Sequence, residues 1–422
     1  MVQAVEAHRL VDIPQPGRAS HLRHPALDIA APPGRTTPGR RNALIPLRQP
    51  TSVLAGSSLL LALFCPAVVS AGSCPAVPDW KTFVSEMVSP DGRVIDWGTP
   101  DQRSTSEGQA YALLMALIAS DRSAFDRILQ WTENNLAHGD LRSRLPAWHW
   151  GRAQDGDWRV IDPNPASDAD LWLAYTLIEA SRFWKEPRYL ELGRSLARLV
   201  LEKETQVMPR FGRILLPAPK GFVEPNGSVR VNPSYVPPQI LRRLADLFPE
   251  DGWEELLDSS MRILLARPNG LQSDWLIIDP QGRPRLEDER GRIGSYAAIR
   301  VYLWAGMLSP DAPEGITLRR HLARAVPRLL RKDGILKAHD AVTSQARETL
   351  PTGLTATLLP LIRSLRLDTD LARLCLTLGN DPSVLVDGYY TRTLAWLSLA
   401  WMHGAFRFGT DGRLILSWSQ DP

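Results

Sequence analysis

From about residue 80 to residue 405 the apolar positions recur mostly at helical spacing, and they do so in two distinct ways. Over residues 111–118, 171–184, 298–306 and 391–404 they run with few polar breaks. Over residues 123–135, 187–202, 251–267 and 318–331 they form a single stripe with charged residues between. A helix that is apolar all round is buried on every side, whereas a striped helix covers another from outside. Alternation of the two kinds predicts an inner and an outer layer of helices.

The inner helices also begin alike. Ser106-Glu107-Gly108-Gln109 has the form of a capping box with Ser106 as N-cap. Ser167-Asp168-Ala169-Asp170 is a similar start. Ser234-Tyr235-Val236-Pro237, Ser295-Tyr296-Ala297-Ala298, Thr352-Gly353-Leu354-Thr355 and Tyr389-Tyr390-Thr391 follow. The first four are separated by 61, 67 and 61 residues. Six starts, each followed by an inner and an outer helix, predict an all-α fold, a barrel of six helix pairs. Three stretches break the rule: residues 213–232 with Asn226-Gly227 at a bend, 274–286 with Pro280-Gln281-Gly282, and 406–418 with Thr410-Asp411-Gly412. They read as short β-hairpins rather than a second domain.

The start of the chain lacks this periodicity. Residues 1–50 are rich in Pro, Arg and Gly, and Arg40, Arg41 and Arg48 precede an apolar run over residues 52–69. The run ends at Val69-Ser70-Ala71, a small-residue cleavage pattern, so the whole reads as a secretory signal. Pro66 interrupts the run and argues against a permanent membrane span. The expected division is an N-terminal extension and signal over residues 1–71 and one mature domain over residues 72–422. The mature domain is expected to be exported, periplasmic or extracellular, with no stable span. The roughly 45 residues before the apolar run are long for a signal; a start site placed too early and a disordered extension both account for them. Ala71-Gly72-Ser73-Cys74 matches a lipoprotein site poorly.

Composition narrows the function classes. The chain has 422 residues, 44% apolar and 23% charged, the balance of a folded globular protein. Its net charge of +3 comes from the leader, where seven Arg face three acids; the remainder holds 42 basic and 43 acidic residues. A near-neutral body argues against a nucleic-acid partner. Three cysteines are too few for a disulfide scaffold. Cys65 falls in the segment expected to be removed, and sequence leaves open whether Cys74 and Cys375 pair. There is no cluster with zinc spacing, no HExxH, no Walker loop, no GxGxxG and no GxSxG, so no metal or cofactor is expected.

The candidate chemistry lies at the helix starts. Inner helices of such a barrel run in one direction, so their N-termini share an end, where Glu107 and Asp168 converge. Two converging carboxylates are what acid-assisted glycoside cleavage requires. Position alone does not decide, because acids in a first turn also complement the helix dipole. That dipole lowers a carboxyl pKa, the wrong direction for a proton donor, so Glu107 needs burial or a neighbouring anion such as Asp168. Loop aromatics point the same way. Trp97 lies in a loop before the first inner helix, and Trp148 and Trp150 lie in a Pro- and Gly-bounded loop before the second. Exposed tryptophans are costly unless they bind something flat, and a sugar ring presents a flat apolar face. Trp172, Trp184, Trp304, Trp396 and Trp401 fall at helical spacing and read as core.

These segments together resemble glycoside hydrolase family 8. The residues that carry the resemblance are Ser104-Thr105-Ser106-Glu107-Gly108-Gln109, Ala166-Ser167-Asp168-Ala169-Asp170 with Trp184 downstream, Asn232-Pro233-Ser234-Tyr235, and Ser295-Tyr296 with Ala298, Ile299 and Arg300. They occur in order from about Trp80 to Trp418, and the branch they match best is the exported endoglucanase type that accompanies bacterial cellulose synthase. The resemblance implies an (α/α)6 barrel that hydrolyses β-1,4 linkages with inversion. It implies Glu107 as proton donor, Asp168 as the acid that positions the reacting sugar, Tyr235 and Arg300 as substrate-site residues, and Trp148 and Trp150 as sugar platforms; Trp97 is a substrate-binding candidate from its loop position. The implied partners are a β-1,4-glucan chain and, functionally, the cellulose synthase machinery.

One position departs from the family. Its cellulase branch carries Asp, the base that activates water, where this chain has Ala297. Loss of a general base typically costs a factor of about 10²–10⁴. The chain is then an inactivated variant, a natural glucan binder that cuts poorly, or an enzyme whose base lies elsewhere, with Asp274 and Asp340 as candidates near expected loops. Xylan and chitosan are alternative substrates of the same barrel.

Overall fold

The computed structural model describes residues 74–286, 291–330 and 334–419. The expected signal and cleavage site, and Cys65, lie outside the described residues. Thirteen α-helices appear among those described: α1 Trp80–Met87, α2 Ser106–Ile118, α3 Arg122–Leu136, α4 Ser167–Trp184, α5 Pro187–Lys203, α6 Pro238–Leu247, α7 Trp253–Leu264, α8 Ala298–Met307, α9 Pro313–Leu322, α10 Val326–Leu329, α11 Leu359–Ser364, α12 Asp368–Asn380 and α13 Gly388–Met402. Apart from the short α10 they alternate between two layers. The inner ring is α2, α4, α6, α8, α11 and α13; the outer ring is α1, α3, α5, α7, α9 and α12. This is the (α/α)6 barrel expected from the periodicity.

Burial follows the apolar pattern. Every residue of α2 is buried except Glu107, and α4 is buried from Ser167 to Ala180. The outer α5 buries only the stripe Tyr189, Leu192, Gly193, Leu196, Ala197, Leu199 and Val200. Each large side chain removed from water there contributes about 1.5–3 kcal/mol. Gly193 lets α5 close on α4: a Cβ there would lie 2.7 Å from Ile178 Cγ1 and 2.9 Å from Ala174 O. Trp172, Trp304, Trp396 and Trp401 are buried as expected, and half-buried Trp184 packs edge-on against Phe125.

Several local expectations are corrected. The N-cap of α2 is Thr105, whose side chain accepts from Gly108 N at 3.0 Å, and Ser106 is the first helical residue. Gln109 does not close a capping box. It is buried, accepts from Val94 N at 2.7 Å and donates to Thr132 Oγ1 at 2.9 Å, which ties α2 to α3. No side chain caps α4, which starts after Ala166. The helix expected over 318–331 is split into α9 and α10; Pro327, which has no N–H to give, falls in the first turn of α10.

The strands are short and lie in five antiparallel groups. Strands β1 (Ser104–Thr105), β2 (His149–Arg152) and β3 (Trp158–Asp162) form a sheet that joins the start of α2 to the segment read as a loop around Trp148 and Trp150. Strands β4 (Thr205–Met208) and β5 (Gly212–Leu215) form a hairpin. The expected hairpin over 213–232 does not exist as such. Its second half is β6 (Val229–Val231), which pairs with β7 (Leu276–Ile278), itself paired with β8 (Pro284–Arg285). Strands β9 (Ile293–Gly294), β10 (Lys337–Asp340) and β11 (Ala346–Thr349) form a further sheet, and β12 (Phe406–Phe408) and β13 (Leu414–Leu416) the expected C-terminal hairpin.

Candidate active site

The N-terminal ends of the inner helices meet at one guanidinium. Arg300, in the first turns of α8, donates through Nη1 to Glu107 Oε2 at 2.5 Å, to Asp168 Oδ2 at 2.8 Å and to Tyr111 Oη at 3.3 Å. Glu107 is the second residue of α2 and Asp168 the second of α4. The Arg300 and Asp168 side chains are 1% and 3% exposed, but that of Glu107 is 18% exposed. Glu107 is therefore the member of the trio that can meet a ligand directly. Tyr235, in the turn before α6, places its ring 5.4 Å from the Arg300 guanidinium carbon.

Electrostatics divides the two acids by environment. Burial raises the Glu107 carboxyl; Arg300 pulls it back, the Asp168 charge pushes it up, and it settles at about 7. A carboxyl at that value retains a proton in mildly acidic to neutral solution. Asp168 is also raised by burial, but Arg300 and the N–H of Ala169, 2.9 Å from Oδ1, favour its ionised form. Burial alone would lower Arg300; the surrounding Tyr390, Tyr111, Glu107 and Asp168 hold it well above its usual value. The trio is thus one fixed cation between two acids, of which the more exposed, Glu107, is pushed up to about 7.

Tyrosines surround the trio, and sequence reading passed over most of them. Tyr111 sat in a run read as core. Tyr389 and Tyr390 were noted only as a helix start, although that start lies at the same barrel end. Tyr390 donates to Tyr296 O at 2.6 Å. Tyr389 comes close to α2 because Gly108 has no side chain: a Cβ there would lie 3.1 Å from Tyr389 Oη. Beyond Tyr235, Trp275 stands 6.5 Å away and stacks on Phe222 at 6.0 Å. The signal for Trp275 was its place beside Asp274 in a predicted non-helical stretch.

The candidate platforms separate. Trp148 is half-buried at the start of α2, where its carbonyl accepts from Ser106 N at 3.1 Å. Trp97 is 53% exposed, with its indole N–H donating to Glu86 O at 2.8 Å. Trp150 is not free in the same way. Trp131 of the outer α3 meets it edge-on at 5.4 Å, Trp158 stacks on it at 5.2 Å, and Arg93 lies 4.4 Å from its ring.

Ala297 immediately precedes α8, one turn before Arg300, and is 6% exposed. The two acids considered as substitutes are engaged elsewhere. Asp274 accepts from Ser295 N and Ala298 N, both at 2.8 Å, and from the Ser295 hydroxyl, so it caps α8. Burial raises its carboxyl, and these hydrogen bonds work against that. Asp340 accepts from Val342 N and Thr343 N and pairs with Arg292 and Arg347. Among the described residues no group of His, Cys, Asp and Glu could hold a metal ion.

The family description "Glycosyl hydrolases family 8" matches residues 56–404. The chain belongs to glycoside hydrolase family 8. It is 39% identical over 368 residues to an endoglucanase of Xanthomonas axonopodis pv. citri, covering 86% of this chain and 95% of that protein. It is 38% identical to an endoglucanase of Escherichia coli K12, covering 86% and 96%. The crystal structure of an endo-1,4-D-glucanase from Vibrio fischeri ES114 superposes with a TM-score of 0.76 at 38% identity, covering 80% of this chain and 98% of that one.

Proposed function

We propose that this family 8 hydrolase is an exported endo-β-1,4-glucanase whose turnover is limited by the alanine at position 297. The observation that carries the reading is the Glu107–Arg300–Asp168 trio, in which the most accessible acid is pushed up to about 7. A glucan chain lies across the N-terminal ends of the inner helices. Glu107 gives its proton to the leaving glycosidic oxygen, while ionised Asp168, fixed by Arg300, holds the reacting sugar. Trp97, Trp148 and Tyr235 offer flat faces to neighbouring units, whereas Trp275 is stacked by Phe222 and has Arg230 4.5 Å from its ring. An inverting mechanism also needs a base across the ring, and the Ala297 methyl cannot accept a proton. The structural bonds of Asp274 and Asp340 favour a second reading, a glucan-binding protein with impaired cleavage.

Export is supported by the bridge between Cys74 and Cys375, since disulfides persist in oxidising compartments. Among the described residues no helix is long and apolar enough to cross a membrane. The motif resemblance adds a working association with cellulose synthesis. The deciding experiment compares reducing-sugar release from soluble carboxymethylcellulose by the chain and by its Ala297→Asp variant. The variant is expected to be faster by about 10²–10⁴. Equal rates would mean that the base lies elsewhere. Parallel assays on xylan and chitosan test the substrate assignment.

A further inference from the structure

The sheet of β1, β2 and β3 carries an aromatic face that the proposed chemistry does not use. Trp150 of β2 stands opposite Ser104 of β1 on one side and Val160 of β3 on the other, and Arg152 stands opposite Trp158. Paired residues, and residues two apart along a strand, share a face of a sheet. Ser104, Trp150 and Trp158 therefore line one face, and Arg93 is laid against it. Arg93 Nε donates to Ser104 Oγ at 2.8 Å and Nη2 donates to Gln102 O. The guanidinium carbon lies 4.4 Å from the Trp150 ring and 4.5 Å from the Trp158 ring. The two indoles stack on each other at 5.2 Å and 16°.

The two rings differ in what they leave open. Trp150 is also closed in by Trp131 of α3. Trp158 lies on the edge strand and is 42% exposed. A scattered exposed apolar residue is ordinary, but this one is a large ring held in place by a neighbouring indole and a cation. A ring fixed in advance loses little conformational freedom when a ligand settles on it. Size and charge decide what it fits. One indole buries up to about 250 Å², far less than the roughly 1,200 Å² of a stable protein interface. Its surroundings, Arg152, Gln154, Asp155, Asp157 and Arg159, are polar and exposed, and they set two cations against two anions. A flat apolar ring with a polar, charge-balanced surround matches a neutral sugar, which has an apolar face and a rim of hydroxyls.

We propose that Trp158 is a distal platform for a β-1,4-glucan chain, taking a sugar unit beyond those held at the ends of the inner helices. Continuity with the cleft supports this occupant. Strand β1 runs directly into α2, which carries Glu107, and the Trp148 carbonyl just before β2 accepts from Ser106 N at 3.1 Å. The sheet thus joins the proposed glucan site to Trp158. Trp150, expected as a platform itself, is the ring against which the platform is held. The assignment of Trp158 rests on the glucan reading of the cleft and adds a dependence on chain length to it.

The test compares Glu107→Gln, which leaves the ligands uncut, with the same chain carrying Trp158→Ala or Trp158→Phe. Cellotriose binding, by calorimetry, reports the cleft; depletion onto amorphous cellulose reports the cleft and the platform together. Trp158→Ala is expected to weaken cellulose binding about three- to tenfold and to leave cellotriose affinity where it was. Trp158→Phe, which keeps a flat ring, should retain most of the cellulose affinity. Undiminished cellulose binding in folded Trp158→Ala, with cellotriose still bound, strikes the platform alone. Equal losses for the two ligands overturn it as well, because the ring would then act through Trp150 and the start of α2. If Trp158→Ala does not fold, Trp158→Met, a flexible apolar chain that can still pack on Trp150, is read in the same way. A Glu107→Gln parent that binds neither ligand removes the glucan reading and the platform with it.

Discussion

Glu107 is the residue at which burial, a neighbouring anion and a neighbouring cation are set against one another, and its proton is the one that the proposed chemistry uses. Because its carboxyl is pushed up to about 7, the donor form is present below that pH and is lost as pH rises through it. Cleavage of soluble glucan should therefore decline above about pH 7, a limb to be read from initial rates across pH. Glu107→Gln should lower the rate by about 10²–10⁴ and remove that limb, with oligosaccharide affinity largely kept. Unchanged activity in Glu107→Gln would exclude it as the proton donor. At this scale the sequence was informative where a residue type is tied to a chemistry. Glu107, Asp168 and Arg300 stood out as motif residues, and the fold brings them to one point. Tyr111 did not, because a tyrosine in an apolar run looks like core until the opposite helix supplies Arg300. Trp150 looked available because its cover, Trp131 and Arg93, comes from distant parts of the chain.

The helices themselves were legible because each is a local, periodic object. Their exact starts were less so. Thr105 and Ser106 are adjacent and both competent to cap, and the choice falls to Thr105 only because β1 pairs with β2 and fixes the backbone there. Strand partners were the least legible, since β6 finds β7 across two intervening helices and no local pattern encodes that. The start of α8 shows how such distant contacts matter. Its cap, Asp274, comes from the segment just before β7, and it holds Ser295 and Ala298 on either side of Ala297. Removing it leaves buried donors unsatisfied at the base of the helix that carries Arg300. Asp274→Ala should lower stability by about 1–3 kcal/mol, measured as a shift in the denaturant midpoint. Lost turnover with an unmoved midpoint would instead mark Asp274 as the missing base.

A ring of helix pairs must close its last pair against its first, and several long-range ties meet at that seam. Trp80 of α1 packs edge-on against Trp396 of α13 at 6.3 Å, and Trp418, beyond β13, donates its indole N–H to Ile118 O at the end of α2. Beyond the seam the C-terminal hairpin also reaches α4, where Tyr175 donates to Gly412 O and Glu179 accepts from Leu414 N. The Cys74–Cys375 bridge belongs to the same seam, joining the segment before α1 to α12 across 301 positions. Composition could not show it, because two cysteines far apart in sequence carry no spacing signal. Its effect on stability follows from chain entropy: a crosslink that closes so long a loop restricts the unfolded chain far more than the folded one. The Cys74→Ser and Cys375→Ser double variant, or the reduced protein, should therefore lose about 2–4 kcal/mol in denaturant unfolding. Because α12 is an outer helix, the inner ends around Arg300 should keep their geometry, and the Glu107 titration should stay where it is in the bridged protein. A variant that kept its full stability would show that the helix contacts alone close the ring; one that lost the Glu107 titration would show that the seam reaches the site.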